Sequence, residues 1–315
     1  MENRRPTLAD VARVAGVSRA TASRAINGVY GTSETMRDHV RAVAARLGFE
    51  PHPVARALAT GRSGSGNDRI EILIADPDPD ALSTKPFYSR VLAGAARSGL
   101  PLQVRHIAEP AVVDAGDDGR PFGRLLINIP GAVAAAYARQ TRTVSLGRSA
   151  PGVVFVAPDN DSGGYQAAAH LVLTGRERIG AVFGPPTPCA DERKAGFLRV
   201  GARPVIAADG DFTRATAYAA TQRLLIREPR IDAIFAACDV TAMGVLQALR
   251  EAGRRVPDDV AVVGFDGSVL AEAADLSSVY MPVEEEAASA VRHLLDPSLP
   301  RPDRLPTRLV VRGSA

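Results

Sequence analysis

Thr7-Leu8-Ala9-Asp10-Val11-Ala12-Arg13-Val14-Ala15-Gly16-Val17-Ser18-Arg19-Ala20-Thr21-Ala22-Ser23-Arg24-Ala25-Ile26-Asn27 carries two short helical periods separated by a single glycine. Thr7 can accept a hydrogen bond from a free first-turn amide, and Asp10 puts a carboxylate near the positive end of the helix dipole. Leu8, Val11, Ala12 and Ala15 recur at helical spacing, giving one apolar stripe. Gly16, free to take positive φ, ends that helix. Val17 turns into the core, and Ser18 caps a second helix over 19–27. There Ala22, Ala25 and Ile26 form the inward face, leaving Arg19, Ala20, Ser23, Arg24 and Asn27 outside.

A third helix is expected near 34–47, with Met36, Val40, Val43, Ala44 and Leu47 buried and Gly48 closing it. Three short helices with a Gly-containing turn between the first two make a helix-turn-helix head. Its second helix can lie in a DNA major groove and present side-chain tips to base edges. Charge agrees with this: residues 1–62 hold ten arginines against five carboxylates, while 63–315 hold 28 basic and 30 acidic groups. A basic head on a slightly acidic body suits nucleic-acid binding.

Residues 51–60 begin with Pro51 and place Val54, Ala55, Leu58 and Ala59 on one face. A helix this short does not hold alone in water. It is expected to fold when its copy in a dimer packs against it on DNA, with Leu58 a candidate wedge into a minor-groove step. Residues 61–68, rich in Gly and Ser, read as a flexible tether.

Taken together, Asp10-Val11-Ala12, Ala15-Gly16-Val17-Ser18, Thr21, Ser23-Arg24-Ala25-Ile26-Asn27 and Val54-Ala55-Arg56-Ala57-Leu58 resemble the signature of the lactose-repressor (LacI/GalR) family. The resemblance implies that Arg19 and Ala20 face operator bases. It implies that Thr21, Ser23, Arg24 and Asn27 position the helix on bases and phosphates, and that Leu58 opens the minor groove. Thr7, Ser18 and Tyr30 complete the expected DNA-facing set.

From residue 69 onward short apolar runs alternate with amphipathic segments. Ile70–Ala75, Leu125–Ile129, Val153–Val156, Ile179–Phe183, Ala233–Ala237 and Val260–Phe265 read as buried strands. Stretches near 86–98, 161–174, 213–226, 239–252 and 283–295 read as helices. The alternation predicts an α/β core of parallel sheets in two lobes, roughly 69–157 with 283–315, and 158–282. In open α/β sheets ligands bind beyond the carboxyl ends of strands, which selects Asp76, Asp159, Asp239 and Asp266. Carboxylates there can accept from hydroxyls and an arginine can donate bidentately; helix caps are the plain alternative for each carboxylate. Pro86-Phe87-Tyr88, Asp159-Asn160, Arg193-Lys194-Ala195-Gly196-Phe197, Gly210-Asp211-Phe212 and Val262-Val263-Gly264-Phe265-Asp266 resemble the family's periplasmic-binding-protein-like core. The resemblance implies that Arg193, Asp239 and Asp266 hydrogen-bond an effector and that Phe87 and Phe212 wall it, with Tyr88 beside them. Cys238-Asp239 and Asp266-Gly267 stand where the family often has Asn-Asp and Asp-Asp.

The expected function is a repressor: a homodimer on a pseudo-palindromic operator, controlled by a sugar-like small molecule. A transport component would need a leader or anchor and no head. An enzyme would need chemistry-bearing motifs, but no GxxxxGK[ST], HExxH or GxSxG occurs. A DNA-binding protein with a protein partner in place of the effector stays open. No cofactor, metal or membrane contact is expected: no apolar run approaches the ~20 residues of a span, and the start lacks a secretory stretch. The protein is expected in the cytoplasm, where Cys189 and Cys238 stay thiols.

Overall fold

The computed structural model describes residues 7–27, 32–47, 49, 69–107, 121–147, 152–200, 206–299 and 304–315. The expected hinge helix and tether, with Tyr30 and Leu58, lie outside the described residues.

The head is three helices: α1 (Leu8–Ala15), α2 (Arg19–Asn27) and α3 (Glu34–Leu47). Thr7 and Asp10 cap α1 reciprocally, the Thr7 hydroxyl accepting from Asp10 N and the Asp10 carboxylate accepting from Thr7 N at 2.9 Å. Gly16 at φ 66° allows the left-handed turn into α2. Ser18 Oγ then accepts from Thr21 N at 3.1 Å. Val11, Ala12, Ala15, Ala22, Ala25, Val40, Val43 and Ala44 form the core, with Leu8, Val17, Ile26, Met36 and Leu47 packed on it. His39 Nε2 reaches the Ala15 carbonyl at 3.2 Å, tying α3 to the end of α1.

Among its described residues the body contains two six-stranded sheets. The first has strands β1 (Ile70–Ala75), β2 (Leu102–Ile107), β3 (Gly123–Ile127), β4 (Thr143–Leu146), β5 (Val154–Pro158) and β11 (Arg304–Leu305), in the order β11-β5-β4-β3-β1-β2. The second has β6 (Ile179–Phe183), β7 (Ile206–Asp209), β8 (Ala233–Ala236), β9 (Ala261–Asp266), β10 (Ser277–Tyr280) and β12 (Arg308–Val310), in the order β12-β10-β9-β8-β6-β7. Every described pairing is parallel except that of β10 with β12. The helices are α4 (Ala81–Thr84), α5 (Pro86–Ala96), α6 (Gly131–Gln140), α7 (Asn160–Leu173), α8 (Pro188–Arg199), α9 (Arg214–Arg227), α10 (Asp239–Glu251), α11 (Val269–Ala273) and α12 (Val283–Leu295).

The chain passes between lobes three times, after β5, after β10 and after β11. This corrects the sequence boundary, which assigned all of 283–315 to the first lobe: Arg308–Val310 pairs antiparallel with β10 and belongs to the second. The short crossovers Pro158–Asn160, Tyr280–Val283 and Leu305–Arg308 place the carboxyl ends of both sheets face to face. In the first sheet a buried ion network, Glu71 with Arg124 at 2.6 Å and with Arg105 at 3.1 Å, lies at the opposite end of the strands from that cleft.

Candidate functional site

Two sites can be built from the residues upward. The first is the outer face of α2. Its inward spacing (Ala22, Ala25) fixes the helix against α1 and α3, so Ser18, Arg19, Ala20 and Arg24 are exposed, with Thr21 and Ser23 half-buried. Arg24 Nε folds back on the Ala20 carbonyl at 3.3 Å, keeping the guanidinium on that same face. The hydroxyls of Thr7 and Ser18 are used in capping, so their part in the head is first to set helix ends. Asn27 ends α2, and its side chain lies outside what is described.

The second site is the cleft between the lobes. It is lined from the first lobe by Asp76, Lys85, Phe87, Tyr88, Asn128 and Glu286, and from the second by Arg193, Phe212, Cys238 and Asp266 among others. Asp76 follows β1 and is held by Lys85 Nζ at 2.8 Å, Tyr88 Oη at 2.5 Å and Asp78 N at 3.0 Å. Burial opposes its ionisation, yet these three donors outweigh burial and hold the carboxyl below the usual carboxylate range. Asn128, at φ 58° just past β3, donates to Tyr88 Oη at 3.1 Å.

From the other side Arg193 is the organising cation, 5 % exposed. It donates to Asn160 Oδ1 at 2.9 Å, to the Ala237 carbonyl, to Asp266 Oδ1 at 3.2 Å and to Met281 Sδ at 3.2 Å. Its guanidinium lies 3.9 Å from the Phe265 ring centroid. Asp266 sits at φ 108°, in the left-handed region that non-glycine residues avoid. Such strain persists where surrounding contacts over-determine it: Arg193 holds its carboxylate, while Arg90 Nη1 at 2.9 Å and Met281 N at 3.2 Å hold its carbonyl. Phe212, at φ 64°, leans over Gly184, where a Cβ would overlap its ring.

Six of the sequence-derived candidates therefore meet in the cleft: Asp76, Phe87, Tyr88, Arg193, Phe212 and Asp266. Two do not, and the reading of them is corrected. Asp159 caps α7, accepting from Ser162 N at 3.0 Å. Asp239 is buried behind the cleft wall, accepting from Ser268 N at 2.7 Å and Ser278 Oγ at 2.6 Å. Sequence reasoning missed Lys85, Asn128 and Glu286, and also Arg90. Arg90 grips Glu284 with two bonds at 2.8 and 2.9 Å while donating to the Asp266 and Met281 carbonyls, so it spans the lobes. Glu286 had a usable signal. Val283, Ala287, Ala290 and Leu294 mark the inward face of α12, and position 286 falls on it. Cys238 is buried and caps α10 through its sulfur, and burial pushes its thiol up to about 12. Both described cysteines are free.

Burial, opposed by Arg193 and Arg90, pushes the Glu286 carboxyl up to about 8. Burial and the nearby Asp266 push Asp239 up to about 7. Both groups bind protons more tightly folded than unfolded, so the stability they contribute is fully present at low pH and is lost as pH rises from the ordinary carboxylate range to near 8. Asp76 and Glu284, lowered by their cationic partners, change stability only below the ordinary carboxylate range. The full chain is expected to unfold at lower urea at pH 8.5 than at pH 6. A midpoint that is flat or rises over that range would contradict the burial of these carboxyls.

Comparisons with known proteins bear on both sites. Residues 7–52 match the family model "Bacterial regulatory proteins, lacI family", and residues 168–315 match "Periplasmic binding protein-like domain". The HTH-type transcriptional regulator CelR of Thermobifida fusca is 34 % identical over 326 residues, covering 93 % of this chain and 92 % of that protein. The chain belongs to the lacI family of bacterial regulatory proteins. A solved CelR–cellobiose complex superposes with a TM-score of 0.69 at 30 % identity, covering 99 % of this chain and 100 % of that one. A lac repressor dimer bound to operator and an anti-inducer superposes with a TM-score of 0.68 at 24 % identity over 99 % of each, which bears on the fold alone. This lacI-family regulator thus joins a helix-turn-helix head to a two-lobed core, as the sequence leads one to expect. Among the described residues no helix is long and apolar enough to cross a membrane.

Proposed function

We propose that this regulator is a cytoplasmic, homodimeric repressor that catalyses no reaction and whose hold on a pseudo-palindromic operator is set by a sugar-class effector in the cleft. The observation that carries the reading is that the cleft's polar groups come from both lobes. Asp76, Lys85, Tyr88 and Asn128 stand on one side, Arg193 and Asp266 on the other. A ligand contacting both sides favours one disposition of the lobes, and only such differential binding can move an equilibrium. Carboxylate acceptors, a guanidinium donor and the Phe87 and Phe212 walls suit a hydroxylated ring. The solved cellobiose complex of the CelR relative supports this class. In the head, Arg19, Ala20, Thr21, Ser23, Arg24 and Asn27 would read and position DNA, and Leu58 in the hinge would wedge the operator centre.

The test is a titration of the full chain onto genomic fragments from upstream of its own gene, at several salt concentrations, beside Arg19→Ala and Leu58→Ala. One protected palindrome and a steep fall of affinity with salt are expected. Arg19→Ala should weaken binding by about 1–3 kcal/mol and relax base preference at one position of each half-site. Leu58→Ala should weaken binding as well. If selection from random DNA recovers no palindrome, operator recognition is refuted.

A further inference from the structure

Among the described residues, the cleft contains one carboxyl left unanswered. Glu286 lines it and is 1 % exposed, yet among the described residues neither of its carboxyl oxygens has a hydrogen-bond partner. The other two carboxylates of the lining are matched, Asp76 by Lys85 and Tyr88, Asp266 by Arg193. Lys85 and Arg193 are committed by those pairings. The charged groups that act on Glu286 from neighbouring elements are Arg193 of α8 and Arg90 of α5. Arg90 is spent on Glu284 and two carbonyls. The Gly147 N–H beside Glu286 bonds the Val156 carbonyl at 2.9 Å.

Buried polar groups are almost always partnered, and an orphaned one is costly. Leucine at 286 would spare the fold that cost. A carboxyl left open toward a ligand cleft is therefore a group whose partner arrives with the ligand. The lining supplies three carboxyls and two cations, so a ligand cation with donors would complete the set and let Glu286 ionise. A neutral hydroxyl would supply a donor but leave the buried carboxyl protonated, whereas an ammonium supplies donors together with the charge that stabilises the carboxylate.

We propose that Glu286 is a specificity-determining residue of the cleft and that the effector is an amine-bearing sugar whose protonated nitrogen pairs with the Glu286 carboxylate. This rests on the sugar-effector reading above and narrows it to one ligand class. The aromatic walls serve the ring faces, and Asp76, Arg193 and Asp266 serve the hydroxyls.

The experiment compares matched pairs that differ only at nitrogen: cellobiose with the β-1,4-linked glucosamine dimer, glucose with glucosamine, galactose with galactosamine. Binding to the full chain is measured by calorimetry, and release of an operator fragment by anisotropy, for wild type and E286Q. The expected result is an amine member bound about tenfold or more tightly than its neutral partner, with the preference erased in E286Q. Urea unfolding of E286Q controls for a structural role. A stability equal to or above wild type fits an orphaned group kept for a ligand, and a marked loss would show that the fold needs the carboxyl and overturn the assignment. Neutral members that bind and release operator equally in both proteins would overturn this inference and leave the sugar reading standing. If no member of any pair binds or releases DNA, the inference and the sugar reading fall together.

Discussion

Arg193→Ala is expected to cost the core about 3–5 kcal/mol, because it strands a buried carboxylate and several acceptors at once. The guanidinium is shared among Asn160, the Ala237 carbonyl, Asp266 and Met281, and it covers the Phe265 ring. Arg193→Lys should recover less than half of the loss, since a compact ammonium cannot reach acceptors spread over four residues of one plane. Arg193→Met combined with Asp266→Asn should be more stable than Arg193→Ala alone. The long apolar side chain refills the volume, and the amide no longer carries a buried charge. Urea denaturation of the four proteins measures this directly. A loss below about 1 kcal/mol for Arg193→Ala would mean that the network is not holding the cleft wall. Effector response should vanish in every one of these variants, because each removes the guanidinium that presents Asp266 to the cleft.

Gly196→Ala is the second large effect, and two opposing terms decide it. Alanine is the better helix former by about 1 kcal/mol, which favours the substitution in an isolated helix. In the folded chain a Cβ at 196 would fall on the Asp161 carbonyl, and one at Gly164 would fall on the Arg193 carbonyl. These two glycines let α7 and α8 touch along their backbones, and neither opposing atom is a side chain able to swing away. Overpacking of this kind costs about 1–3 kcal/mol or more, so the clash wins and the variant is destabilised. It should also weaken sugar binding, since separating α8 from α7 draws Arg193 away from Asn160. Ala195→Ser, on the exposed side of the same helix, should change stability by less than about 0.5 kcal/mol. Thermal melts of Gly196→Ala and Ala195→Ser decide the matter. Equal melting temperatures would show that the two helices have room to part.

The head was legible because its determinants are local. A cap, a helical stripe and a positive-φ glycine lie within a dozen residues, and the structure places Thr7, Gly16 and Ser18 in those roles. The apolar buried strands were legible for a related reason: parallel strands covered on both faces read as continuous apolar runs, and Ile70–Ala75 is buried along its whole length, whereas the buried β4 and β10, rich in Ser and Thr, were not read. Helices α6 and α8 were not. The first is a run of alanines with little contrast between faces, and the second buries Arg193 and Gly196 where an apolar stripe would be sought.

The carboxylates divide along the same line. Sequence places Asp76, Asp159, Asp239 and Asp266 alike at strand ends, and local chemistry cannot separate a cap from a ligand contact. Asp159 and Asp239 turn to backbone and hydroxyl donors of their own lobe, while Asp76 and Asp266 face the cleft. Glu286 ends a run of three glutamates in the first turn of α12, ordinary company for a helix N-terminus. Its orphaned burial arises only when α12 packs beneath the cleft. By itself the sequence determined the kind of protein this is, a DNA-reading head on a two-lobed α/β core, because short-range periodicity and capping encode it. Tertiary structure alone decided which polar side chains meet in the cleft and which carboxyl there lacks a partner among the described residues, because burial and partnering depend on residues far apart in the chain.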